Sequence, residues 1–321
     1  MKFLLIMLIF VIVLFLYLHI FFHIKTSNDL EVYECETPDK DKLEEICGIR
    51  QPVIFNYYDD TIQNDCDMKE LIEKYSSFDF KIRNVKRDIS DEEELYIPLK
   101  LSDLQNVLQG DKEGKYITER NADFLEETGL DKQFKYNDSL IKPYMTVSRE
   151  YDLMTGSARA TTPFRYNLHY RSYFNVMSGT IKIKMAPPKY SKFMHEVKDY
   201  DNYEFRSEIN PWAASEEHKS DLDKIKCLEI DLTVGQLVYI PPYWWYSIEY
   251  SDNSVVACFK YHTYMSLLSI SHHKLLALLQ SQNIKRNPYL NIIKDTNINV
   301  ETDSTSDLDE SNSKNESSKE E

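Results

Sequence analysis

The chain has 321 residues, 42% of them hydrophobic, enough for one large domain with a real core or for two small ones. Its net charge of -15 works against any phosphate-binding face, and its basic cluster (Lys81, Arg83, Lys86, Arg87) is followed at once by acids, so nucleic acid is excluded as a partner. Five cysteines, Cys35, Cys47, Cys66, Cys227 and Cys258, show no CxxC pair and no metal-ligand spacing; they read as reduced thiols, with a Cys35–Cys47 disulfide left open for an oxidising compartment.

Phe3 to Phe22 (FLLIMLIFVIVLFLYLHIFF) is apolar except for His19. About 20 such residues make a helix roughly 30 Å long, the thickness of a bilayer's hydrocarbon core. A cleaved signal peptide is the rival reading, but its apolar stretch is normally shorter and ends in small residues, whereas this one runs into Phe21, Phe22 and His23. The expectation is a single-pass membrane protein held through residues 3–22 of an anchor spanning 1–25. Lys2 and Lys25 flank opposite ends and leave the orientation open. Residues 26–43 are polar and acidic and read as a stalk.

A single domain is expected over 44–296. Met68–Tyr75 and Leu101–Leu108 read as short helices, the second with Leu101, Leu104, Val107 and Leu108 on one face. Val53–Tyr58, Phe80–Val85 and Tyr96–Leu99 read as extended. After Pro163 the pattern becomes plainly β. Gly179-Thr180 turns into IKIKM, CLEIDL alternates over 227–232, and Val234-Gly235-Gln236 turns it into LVYI; WWYSIEY (244–250) and SVVACFKYHTY (254–264) follow. Strands at this spacing with tight turns argue for a sandwich or barrel, with its core at about 160–264. One helix is expected over 265–280. Residues 297–321, rich in Ser, Asp, Glu and Asn, have too little apolar surface to offset the entropy of ordering and read as a disordered acidic tail.

Three pieces in order resemble the cupin-like family related to JmjC dioxygenases. They are Arg50-Gln51-Pro52-Val53-Ile54-Phe55; Thr162-Pro163 with the later Val176-Met177-Ser178-Gly179 and Pro187-Pro188; and Gly235-Gln236-Leu237-Val238-Tyr239-Ile240-Pro241-Pro242-Tyr243-Trp244-Trp245. The resemblance implies a mainly β fold with helical additions, a double-stranded β-helix or jelly roll, preceded here by the transmembrane helix. In active members that fold opens around Fe(II) and 2-oxoglutarate, the iron held by two imidazoles and a carboxylate.

On this resemblance the metal-ligand positions fall on Arg165, Asn167 and Tyr246. A guanidinium has no lone pair to give, and a neutral amide is a poor substitute for a carboxylate. Sliding the register to His169-Tyr170-Arg171 restores one His but puts Arg171 at the carboxylate position. His262 has no matching role, and the usual co-substrate lysine falls on Ile181. No iron, no 2-oxoglutarate and no catalytic residue are therefore expected, and a binding or structural role is the leading expectation. An Fe(II)/2-oxoglutarate-dependent hydroxylase using irregular ligands such as His169 and Tyr246 is the alternative. A small-anion receptor is the third. Arg165, Asn167, His169 and Arg171 alternate with apolar neighbours, and on one continuous strand they would share a face, either solvated or lining an anion site. Trp244 and Tyr246 should lie on one side of their strand and Trp245 on the other, filling core. The acidic-aromatic stretch 199–205 reads as a protein-partner surface or as a lid over the barrel.

Overall fold

The computed structural model describes residues 2–86, 95–213 and 215–281; the expected acidic tail at 297–321 and the domain end at 296 lie outside them. Helix α1 (Lys2–Ile24) has 23 residues and no acidic side chain, and nearly all its apolar side chains are exposed. At 1.5 Å per residue it spans about 35 Å, long and apolar enough to cross a membrane. A signal sequence has the same character.

The stretch expected to be a stalk is folded onto the domain instead. Strand β1 (Tyr33–Glu34) pairs in parallel with β2 (Val53–Asn56). Between them, α2 (Lys40–Gly48) starts at Asp39, whose carboxylate accepts from Lys42 N, and it buries Leu43, Ile46 and Cys47. Two forces explain the difference: a strand edge with backbone groups to satisfy, and an apolar helix stripe that composition alone conceals. Cys35 and Cys47 are both free thiols.

The next elements form a helical and β elaboration: α3 (Asp60–Asp65), α4 (Met68–Tyr75), β3 (Asp79–Asn84), β4 (Ile97–Lys100), α5 (Leu101–Gly110), β5 (Tyr116–Thr118), α6 (Ala122–Thr128) and α7 (Leu130–Asn137). Both helices expected here are present, α5 burying Leu101, Leu104 and Leu108. The barrel then opens with β6 (Thr146–Gly156), earlier than the 160 expected, because its mixed polar and apolar residues hid an 11-residue strand. Next come β7 (Arg165–Tyr166), β8 (Arg171–Ser178), β9 (Thr180–Ala186), β10 (Glu196–Asp199), β11 (Glu204–Ser207), the short α8 (Lys219–Leu222), β12 (Leu228–Thr233), β13 (Gln236–Ile240), β14 (Trp245–Tyr250) and β15 (Val255–Thr263).

Among the described residues these strands make two sheets, ordered β1-β2-β13-β8-β15-β6-β5-β3-β4 and β10-β11-β7-β14-β9-β12. Facing one another, they give the expected jelly roll. Alternation sets the layers. Val256 and Cys258 of β15 face inward with Phe174, Val176 and Val238, against Ile181, Ile183, Met185, Tyr246 and Ile248 of the smaller sheet. Val255, Ala257, Phe259 and Tyr261 face outward and are covered by α2 to α7 through Leu43, Ile46, Leu71, Phe124, Leu130 and Phe134. Gly179 (φ 69°) makes the β8–β9 turn; a Cβ there would lie 2.8 Å from Ser254 Cα, so only glycine fits.

The C-terminal helix expected over 265–280 is two helices, α9 (Tyr264–Ser269) and α10 (Ser271–Ser281). Thr263 and Ser266 form a capping box at the start of α9, and Ile270, buried in the core, takes a non-helical conformation between the two.

Candidate functional site

The barrel centre is built where β7 meets β14. Arg165 is the direct cross-strand partner of Tyr246, and its guanidinium lies 5.3 Å from the centre of the Tyr246 ring. The same guanidinium pairs with Glu119, just beyond the end of β5. Both side chains are buried. Asp152 fixes the turn that presents Glu119, accepting from Arg120 N and Asn121 N at 2.8 Å each. Tyr96 donates to the other Glu119 oxygen at 2.9 Å. Burial alone would raise the Glu119 carboxyl, but Arg165, Arg83 and the Tyr96 hydroxyl outweigh it and hold it at about 2. The pair is therefore ionised at neutral pH.

The acidic-aromatic stretch forms the end of the β10–β11 hairpin and packs against the barrel centre. Asp199 closes the β10–β11 hairpin, accepting from Asp201 N and Asn202 N. Tyr203, Glu204 and Phe205 of the hairpin line the central space. Phe205 stacks on Tyr166 at 5.2 Å, and Arg83 donates to both Glu204 oxygens at 2.9 and 3.0 Å. A chain of buried polar groups, with the half-buried Tyr96 among them, thus crosses the centre from Glu204 through Arg83, Tyr96 and Glu119 to Arg165. The space left among them is about 80 Å³, small beside the roughly 300–1,000 Å³ of typical ligand pockets.

A second constellation lies at the barrel mouth, on the larger sheet. Lys260 of β15 is the register partner of Glu150 of β6, and His262 lies two residues further along the same face. His169, from the β7–β8 connection, stacks on His262 with ring centres 4.4 Å apart and meets Glu150 through Nε2 at 3.1 Å. One donor atom from each of Glu150, His169 and His262 lies within 4.8 Å of the others, a group able to hold a metal ion. Burial, then the neighbouring His169, holds His262 down at about 3; burial likewise lowers His169, against the pull of Glu150. Both rings are neutral at pH 7 and have lone pairs to offer. Beyond them opens a cleft of about 830 Å³ that Glu150, His169, Lys260, Arg149 and Tyr203 help to line.

The expected four-residue face is not formed. Regular pairing stops at Tyr166 and resumes at Arg171, because the chain crosses from one sheet to the other between them. Arg165, His169 and Arg171 are all buried, so the face is not solvated either. Arg171 points away, towards α2, donating to Cys47 O at 2.6 Å and Tyr239 Oη at 3.0 Å and pairing with Glu44 at 3.3 Å. Asn167 lines the centre and reaches Ser172 Oγ at 3.4 Å. His169 and Tyr246, the irregular ligands considered from sequence, have different partners, Glu150 and Arg165. Trp244 and Tyr246 pack in one core and Trp245 in another, all fully or nearly buried, as alternation predicts.

Sequence reading missed Glu119, passed over Glu150 and set His262 aside as having no role. For the last two a signal exists: in SVVACFKYHTY, Lys260 and His262 share parity with the inward Val256 and Cys258, and in SREYDLM, Glu150 shares it with Asp152. The profile of the cupin-like domain family matches residues 35–266. A search of curated proteins found no match.

Proposed function

The chain belongs to the cupin-like family, and from that premise we propose that it is a membrane-anchored, noncatalytic member with a binding or structural role. The observation that carries this reading is the buried Arg165–Glu119 pair seated on Tyr246. The family resemblance puts metal ligands at Arg165, Asn167 and Tyr246, and these residues do not fit an iron ion. Arg165 is a permanent cation already engaged by Glu119. Burial pushes the Tyr246 phenol up, away from the phenolate that binds metal. Ile181, at the co-substrate lysine position, is core. The chain's own side chains occupy the centre and the β10–β11 hairpin covers it.

Anchoring is supported by the way α1 joins the domain. Arg50 (φ 62°) donates to the carbonyls of His23 and Lys25 at 2.9 and 2.7 Å, closing the helix C-terminus. Tyr144, Met145, Tyr264 and Leu268 are exposed apolar side chains, the first three beside the end of α1, where a bilayer surface would cover them.

A second reading, a hydroxylase with irregular ligands, draws on the Glu150, His169 and His262 group, a donor set different from the His169–Tyr246 pair. The two readings part on co-substrate use. Full-length protein given Fe(II), ascorbate, oxygen and 2-oxoglutarate should form no succinate above background. Iron-dependent succinate formation that disappears in His262→Gln would establish the second reading.

A further inference from the structure

We propose that Glu150, His169 and His262 form a binding site for a divalent first-row transition ion of the zinc class, at the barrel mouth and apart from the Arg165–Glu119 centre. Two imidazoles and one carboxylate are a donor set suited to such an ion. The hydrogen bonding points the same way. Ser266 Oγ accepts from Thr263 N at 2.9 Å, and with its proton on Thr263 O at 3.0 Å, Nδ1 of His262, 3.3 Å away, is the donor to Ser266. In that tautomer Nε2 of His262 carries a free lone pair. This atom is buried and has no hydrogen-bond partner, in a residue only 1% exposed. His169 is 7% exposed, and its Nδ1 is likewise buried without a partner. A buried nitrogen left unpaired is costly, and two on stacked rings call for a common ligand.

The separation of the donors also decides what must move. Tetrahedral coordination at about 2.0–2.1 Å puts donors roughly 3.4 Å apart, whereas these lie within 4.8 Å. The Glu150 carboxylate, half exposed on the cleft side, closes that gap by leaving His169 Nε2, while the rings are held by β15, α9 and the β7–β8 connection. Lys260 and Lys274 lie near enough to act electrostatically on His169, and Glu150 on Tyr203. Two nearby cations oppose an incoming dication, so the affinity falls short of that of a closed structural zinc site.

This inference does not depend on the sealed centre: metal binding without 2-oxoglutarate binding leaves both standing. The test uses untagged full-length protein in detergent, stripped with chelator and titrated with Co(II), then with Zn(II) as competitor. Visible Co(II) absorption saturating at one ion per chain and displaced by Zn(II) is expected. Glu150→Gln, which alters a half-exposed side chain, should weaken binding about tenfold or more, and His169→Gln and His262→Gln should abolish it. Metal-free melts of each variant separate lost binding from lost folding. No Co(II) bound by the wild type, or binding unchanged in Glu150→Gln and His169→Gln, would overturn the proposal.

Discussion

At the scale of single residues, the Arg165–Glu119 pair sets what the barrel centre can do. Removing one partner of a buried pair strands the other charge, so Glu119→Gln should destabilise the domain by about 3–5 kcal/mol. Replacing both, as Glu119→Gln with Arg165→Met, should cost clearly less than the sum of the single changes; urea unfolding of the four proteins measures the coupling. Glu119 also predicts an acid limb. Its folded value, about 2, lies below the unfolded carboxyl value near 4.5, so its contribution is fully present above pH ~4.5. It is lost as pH falls towards 2, by on the order of 3 kcal/mol. A stability profile between pH 5 and pH 2 that is steeper in wild type than in Glu119→Gln would bear this out; identical slopes would contradict it. None of this was legible in the sequence, because Glu119 reaches Arg165 only through the pairing of β5 with β6 and the Asp152 turn.

At the scale of elements, α4, α5, β9 and β12 to β15 were legible from apolar periodicity, alternation and Gly turns and lie within a residue or two of expectation, whereas α2, α3 and α6 to α8 were not read. What failed was continuity. RYNLHYR alternates as a strand should, yet an alternating run serves equally well as a corner between two sheets, and only the partners decide. The same limit hid the Glu150–His262 meeting, which β6–β15 register creates between distant segments. Two joints carry predictions. Arg83→Met should loosen the β10–β11 hairpin by removing its bond to Glu204, seen as faster hydrogen exchange over 196–207 with little change in β14. Arg50→Ala should unfasten the end of α1, costing about 1–3 kcal/mol and exposing residues 24–32 to protease; unchanged cleavage there would contradict the role given to Arg50.

At the scale of the whole molecule, a long apolar helix leads directly into a jelly roll with no free stalk between them. An uncleaved anchor should keep the full chain in the membrane fraction through alkaline carbonate washing, whereas a chain starting near Thr26 in that fraction's place would mark α1 as a signal sequence. The fold family was legible from three short motifs because they sit at turns and strand starts, where backbone geometry restricts the residue. The functional state was not, since it depends on which side chains meet inside. Anaerobic calorimetry of the full-length protein with 2-oxoglutarate, after Fe(II) or Mn(II) has been added and its own heat recorded, tests the sealed centre most directly. The account predicts no 2-oxoglutarate binding whether or not metal is bound. Saturable, metal-dependent binding at one molecule per chain would contradict it.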